Sequence, residues 1–232
     1  MARANGFPGL YVVFDGIIGC GKSAQIKELK KHLFMDFPGQ DIVFTYEPGG
    51  NEEADKLRQR LKYENMSGEE EVEIFAQSRS ITIPKVVIPV LERKGILISD
   101  RSFTTSLAYQ GFGGRNLGAD KVWKANEPVV NGVFPDILVY LKVGVEECLR
   151  RSAGENPDKF DREGQDFWMK TSEGFEKMTE FLKTISPNTK IFQITDPEGK
   201  LSIEQTRLAI REGLYPEIEA ILKREGKIVR ER

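Results

Sequence analysis

Cysteine is nearly absent from this chain of 232 residues: there are two, Cys20 and Cys148, far apart and in no C-x-x-C pair. That spacing excludes a disulfide framework and argues against a zinc site, so both are expected to be reduced. The one histidine, His32, falls late on the helical stretch that follows the first glycine-rich loop, where a solvated or helix-end role suits it better than a Ser-His-Asp arrangement. Charge of one sign is also missing. Lys plus Arg number 34 and Asp plus Glu 36, a net charge of −2, which leaves no global positive field to draw the chain onto nucleic acid or acidic lipid. No window reads as the apolar run of eighteen or so residues that a membrane span needs, and residues 1–8 lack the apolar core of a signal peptide. The expectation is a cytoplasmic protein without a membrane partner.

What the chain does have stands near its beginning. Gly16-Ile17-Ile18-Gly19-Cys20-Gly21-Lys22-Ser23 spells G-x-x-x-x-G-K-S, directly after the apolar run 10–14 and before an amphipathic stretch. Glycines in such a loop let successive backbone N–H groups face a phosphate, and the helix that follows adds its N-terminal partial positive charge. In this pattern Lys22 reaches the outer phosphates of a nucleoside triphosphate and Ser23 holds magnesium.

Strand-length apolar runs recur at 10–15, 41–46, 95–99, 136–143 and 190–195, separated by longer helical patterns. The alternation predicts a single α/β domain over 1–232, with the P-loop NTPase fold: a mostly parallel five-stranded sheet, helices on both faces, and ligands gathered at the carboxyl ends of the strands. The acidic run 68–71 reads as a solvated helix start. Pro84 and Pro89 predict a kinked helix or two helices between 70 and 94. Gly154, Asn156 and Pro157 mark a loop at 152–159, part of a short lid expected at about 150–163.

A phosphate loop alone does not separate a switch GTPase, a motor, a kinase and a passive binder. The chain has no N-K-x-D to read guanine. Strand ends instead release Glu47-Pro48-Gly49-Gly50, the pair Asp100-Arg101, and a basic loop with Arg150, Arg151, Lys159 and Arg162. Phosphoryl transfer is mostly positioning and charge neutralisation, so arginines converging on a second anion suit a nucleotide kinase. Asp100 closes an apolar strand where a carboxylate orients magnesium; the alternative is that it caps the next helix and that Arg101 pairs with it. Phe75 and Arg79 lie at i and i+4, one helix face offering a ring beside a guanidinium.

These residues together resemble the thymidylate kinases. The matching pieces are the phosphate loop, Glu47 to Gly50 against R-E-P-G-G, Ile74 to Arg79 against L-F-A-A-x-R, Asp100-Arg101 with Ser106-Leu107-Ala108-Tyr109-Gln110-Gly111 against D-R-Y…S-x-A-Y-Q-G, Pro135-Asp136, and Asp161-Arg162 against the lid's D-R-x-E. The resemblance implies transfer of the ATP γ-phosphoryl group to dTMP, with magnesium, in a homodimer. It implies that 16–23 bind ATP, that Lys22 follows the migrating charge, and that Ser23 and Asp100 serve the metal. Arg101 would hold the acceptor phosphate, Phe75 stack on thymine and Arg79 donate to its carbonyl edge. Glu47, Pro48, Thr105, Ser106, Tyr109 and Gln110 would complete the acceptor site, and Arg151 and Arg162 would stabilise the transferring group.

Three departures fall on the acceptor side. Ile18 stands where the family carries an acid facing the sugar 3′-hydroxyl, Tyr46 where it has the arginine of R-E-P-G-G, and Ser102 where it has the tyrosine of D-R-Y. They leave open a kinase of the same fold with an altered acceptor, or a nucleotide-binding regulator without transfer. A phenol at 46 could give phosphate one hydrogen bond but not a bidentate fork. Leu107, Val122, Trp123 and Val129 could form a dimer face, a pattern that core packing would also give. Trp168 reads as a core or interface anchor. Cys20 could be a redox switch beside Lys22, though a tight loop simply tolerates a small residue there.

Overall fold

A computed structural model describes residues 3–153 and 158–224. Five strands, β1 (Leu10–Asp15), β2 (Ile42–Tyr46), β3 (Ile96–Asp100), β4 (Ile137–Val143) and β5 (Lys190–Asp196), form one sheet in the order β2-β3-β1-β4-β5. Every pairing is parallel. The three central strands are buried on both faces, which is why they read as unbroken apolar runs rather than alternating ones. The carboxyl ends of β1, β2 and β3 lie level: Phe14 and Tyr46 both pair in register with Asp100. The order reverses direction at β1, so the crevice at the end of β1 is where a ligand fits this topology.

Helices α1 (Lys22–Asp36), α2 (Glu52–Tyr63), α3 (Gly68–Thr82), α4 (Ile88–Glu92), α5 (Phe103–Ser106), α6 (Ala119–Val130), α7 (Val145–Ser152), α8 (Gln165–Ile185) and α9 (Ile203–Arg224) pack around the sheet. Local chemistry sets their starts. Asn51 caps α2 through the Ala54 N–H, and Ser67 with Glu70 forms a reciprocal capping box on α3. Pro84 falls in a π-helical segment, Ile83–Val87, that joins α3 to α4, while Leu107–Phe112 continues α5 as a second π-helical segment.

Three expectations need correction. Gly68–Glu92 runs 25 residues and is long and apolar enough to cross a bilayer by length and composition, contrary to the reading of the bare sequence. Half of its apolar stretch is buried inside the protein, and its Glu71 and Arg79 are enclosed there, as in a core helix. Second, Glu71 is not part of a solvated helix start: it is wholly buried, because helical period places it on the face of Phe75, one turn on. Third, Leu107 and Val122 have no exposed surface and belong to the core, whereas Trp123, packed against Phe103 and Phe134, and Val129 are only partly buried. Trp168 is likewise core, edge-on to Tyr109. Of the expected lid, residues 154–157 lie outside the described residues. Residues 158–163 form a turn docked on α2, with the Lys159 N–H donating to Lys62 O at 3.1 Å and Asp158 paired with Lys62.

Candidate active site

The phosphate loop runs from the end of β1 into α1. Gly16 and Gly19 have φ of 142° and 70°, and a Cβ on Gly19 would sit 2.0 Å from the Cys148 carbonyl oxygen, so glycine is required there on both counts. The Lys22 ammonium is buried and arches over the loop, donating to Gly16 O and Ile17 O at 2.9 Å. Cys20 is buried with its sulfur 3.5 Å from that ammonium. Ser23 Oγ donates to Asp100 Oδ2 at 3.4 Å, which brings the end of β3 beside the loop. The other oxygen, Asp100 Oδ1, is buried and has no partner among the described residues. A hydroxyl and a carboxylate with a spare oxygen suit a magnesium ion that keeps most of its ligands as phosphate oxygens and water.

The two readings of Asp100-Arg101 are now separable. Ser102, not Asp100, caps α5, its Oγ accepting from the Thr104 N–H. Arg101 pairs with Asp15, the last residue of β1. Its Nη1 lies 3.4 Å from Asp15 and 3.1 Å from Gly16 O, and its Nη2 lies 3.1 Å from the Tyr109 hydroxyl. Arg101 adopts a φ of 78°, a backbone conformation that costs a non-glycine residue about 1–3 kcal/mol and gathers at functional sites. Burial opposes its charge, but Tyr109, Asp15 and Asp100 outweigh that effect and hold its pKa above the ordinary arginine value. Asp15 itself is fully buried and accepts from Thr104 and Thr105, each at 2.7 Å; burial pushes its pKa up against the pull of Arg101 and the two hydroxyls.

Beside Arg101 opens a cavity of about 180 Å³ lined by Ile18, Glu47, Pro48, Arg58, Phe75, Thr105, Tyr109 and Phe160, among others. Five of the residues singled out in the sequence as acceptor contacts line it directly besides Arg101: Glu47, Pro48, Phe75, Thr105 and Tyr109. Arg79, Ser106 and Gln110 stand behind this lining, all at most 1% exposed. Arg79 gives its Nε to Glu47 at 2.7 Å and its Nη1 to Asn126. Burial raises the Glu47 pKa, and the Arg79 charge draws it back. Tyr46 points elsewhere, its hydroxyl donating to Asp55 at 2.9 Å, whereas Arg58 from α2 donates to Pro48 O at 2.8 Å and reaches the cavity.

The basic loop divides. Arg150 is exposed and paired with Glu147; Arg162 is exposed on the 158–163 turn. Arg151 binds Glu147 and the Gly199 carbonyl, and it lines a second, smaller pocket with Cys20, Gly21, Gln25, Asp196 and Ile203, on the outer side of the phosphate loop. Residues that the motifs did not single out are Asp15, Arg58, Glu71, Asn126 and Phe160. Asp15 carried one available signal, a carboxylate at the strand end before the first loop glycine. Arg58 and Phe160 carried none, because they meet the site only through tertiary packing.

Comparison with known proteins gives a consistent result. A family model described as thymidylate kinase matches residues 14–198. The thymidylate kinase of Leuconostoc mesenteroides is 36% identical over 215 residues, spanning 88% of this chain and 95% of its own. That of Thermoanaerobacter pseudethanolicus is 35% identical over 178 residues, 75% of this chain and 86% of the relative. In fold, the chain is similar to the crystal structure of thymidylate kinase from Ehrlichia chaffeensis, with a TM-score of 0.69 at 24% identity over 89% of this chain and 98% of that one.

Proposed function

Because the chain belongs to the thymidylate kinase family, we propose that the cavity beside its phosphate loop is where ATP passes its γ-phosphoryl group to dTMP, giving ADP and dTDP. The protein is a phosphotransferase of the dTMP kinase type. The observation that carries the site assignment is Arg101: its guanidinium, fixed by Asp15, Gly16 O and Tyr109, stands between the phosphate loop and the cavity that Phe75 lines.

In this reading the triphosphate lies along 16–23, and the Lys22 ammonium exchanges its loop carbonyls for phosphate oxygens. Ser23 and Asp100 hold magnesium, which supplies positive charge to the triphosphate when bound. Arg101 and Arg58 grip the acceptor phosphate, so the guanidinium missing at Tyr46 is supplied from α2 instead. Phe75 stacks on the base, and Arg79, anchored by Glu47 and Asn126, turns its remaining Nη2 toward a carbonyl. Arg151 lies on the donor side, at the pocket suited to the ATP base, and Arg162, exposed on the lid turn, approaches the transferring group. Transfer is direct and in line, with Phe160 and the 158–163 turn excluding water. The whole chain acts as one kinase unit, as a cytoplasmic homodimer whose interface does not use the enclosed Leu107 or Val122.

Incubation with ATP labelled in its γ-phosphate, dTMP and magnesium, followed by chromatography, tests the assignment. Label is expected in dTDP; label released only as inorganic phosphate would overturn it.

A further inference from the structure

Helix α3 presents Glu71, Phe75 and Arg79 at i, i+4 and i+8, all at most 8% exposed. Opposite it, on 103–112, Ser106 and Gln110 lie one turn apart and are at most 1% exposed. Glu71 is the hub of this contact. Its Oε2 accepts from Gln110 Nε2 at 3.0 Å and Arg115 Nε at 3.1 Å, and its Oε1 pairs with Arg115 Nη2 at 2.8 Å and Lys159 Nζ at 3.0 Å. Arg115 in turn pairs with Glu163.

An amide has unlike ends, one donating and one accepting, and either can face a ligand unless a neighbour decides. A carboxylate held between Arg115 and Lys159 only accepts, so it takes the NH2 end of Gln110 and turns Oε1 the other way. That Oε1 is buried with no partner among the described residues, as is Ser106 Oγ. Buried polar atoms are nearly always paired, so an acceptor left over where 103–112 meets α3 points to a donor on a ligand.

We propose that Glu71 is a positioning residue for base selection: it locks the Gln110 amide so that the pocket presents an acceptor beside the Arg79 donor. The matching edge is an imide, an N–H next to a carbonyl, as in thymine and uracil. Cytosine offers the reverse, a bare ring nitrogen next to an amino group, so acceptor meets acceptor and donor meets donor. This rests on the reading of the acceptor as dTMP, and it adds a residue that touches no substrate. Glu71 also ties down the 158–163 turn through Lys159, and the test must separate the two roles.

The test is kcat/KM for dTMP and dCMP in the wild type and in Glu71→Gln, Lys159→Met and Gln110→Met, each checked by thermal melting. A wild type that ignores dTMP or prefers dCMP refutes the acceptor reading before any variant matters. Given that preference, Glu71→Gln lets the Gln110 amide rotate, and the dCMP to dTMP ratio is expected to rise by about tenfold or more, chiefly through a higher KM for dTMP. Lys159→Met, which removes the tie to the turn but not the lock, is expected to lower both activities alike and leave the ratio unchanged. Should Glu71→Gln not fold, Gln110→Met carries the test, since loss of the acceptor itself must narrow the ratio. Equal losses on both substrates in Glu71→Gln, a ratio that moves as far in Lys159→Met, or undiminished discrimination in Gln110→Met would each overturn the proposal.

Discussion

Replacing Asp15 by asparagine separates folding from function at the centre of the site. Oδ1 faces the Gly16 N–H at 3.0 Å, Thr105 and Arg101, while Oδ2 faces only the Thr104 hydroxyl. An amide oxygen in the first position keeps those three contacts, and the Thr104 hydroxyl can rotate to accept from the new NH2. What is lost is the charge. The Asp15 pKa is raised in the fold, so burial outweighs the attraction of its partners and removing the charge costs the fold little. Melting is therefore expected within about 4 °C of wild type, equivalent to roughly 1 kcal/mol or less.

Arg101 fares differently. A hydrogen bond to a charged group is worth about 1.5–3 kcal/mol and one to a neutral amide about 0.5–1.5 kcal/mol, so the guanidinium keeps only a weakened contact to position 15 beside those to Gly16 O, Thr105 and Tyr109. Its strained backbone, with φ of 78°, gains room to relax. The expected loss in kcat/KM for dTMP is about 10- to 100-fold, or about 1.4–2.7 kcal/mol of transition-state stabilisation, at unchanged ATP affinity. Steady-state ADP release at saturating ATP measures it. A variant that melts far below wild type yet turns over dTMP normally would show that Asp15 serves the fold and not Arg101.

Lys22→Ala is expected to cut kcat by more than about a hundredfold while far-ultraviolet circular dichroism stays unchanged, since the ammonium supplies preorganised charge; near-normal turnover would remove Lys22 from the mechanism. Arg58→Ala is expected to raise the KM for dTMP by about tenfold with a smaller change in kcat, as a phosphate grip present before and during transfer requires, and an unchanged KM would return the acceptor phosphate to Arg101 alone. Asp136, held by the Ala4 and Tyr11 N–H groups far from the site, has a pKa pushed up to about 6 by burial. Its folded pKa lies above the unfolded value of 3.8, so the folded chain binds the extra proton and the stability this adds is full below about pH 4 and lost by about pH 6, at most about 3 kcal/mol. The melting temperature of wild type minus that of Asp136→Asn is thus expected to fall from pH 4 to 6.5, and a flat difference would contradict the assignment.

The sheet could be read from the sequence because three of its strands are enclosed on both faces and so appear as uninterrupted apolar runs, two of them ended by a residue the chemistry uses, Asp15 and Asp100. The phosphate loop was equally plain, since its glycines answer to backbone geometry that no other residue meets. Side-chain partners were harder. Tyr46 occupied a motif position and pointed to Asp55, while Arg58, twelve residues on, reached the cavity because α2 folds back over Pro48. Glu71 looked like one of three solvated acids at a helix start until α3 packed on 103–112 and enclosed it. Such residues are selected by tertiary contact, which leaves no local spacing to detect.

The most direct test of the whole account is the acceptor panel: kcat/KM of the purified chain for dTMP, dUMP, dCMP and dGMP at fixed ATP and magnesium. Arg101 and Arg58 beside a cavity lined by Phe75 predict that dTMP is the best acceptor and that the imide-bearing dUMP ranks ahead of dCMP and dGMP. Equal and negligible turnover of all four, with ATP still bound, would contradict it.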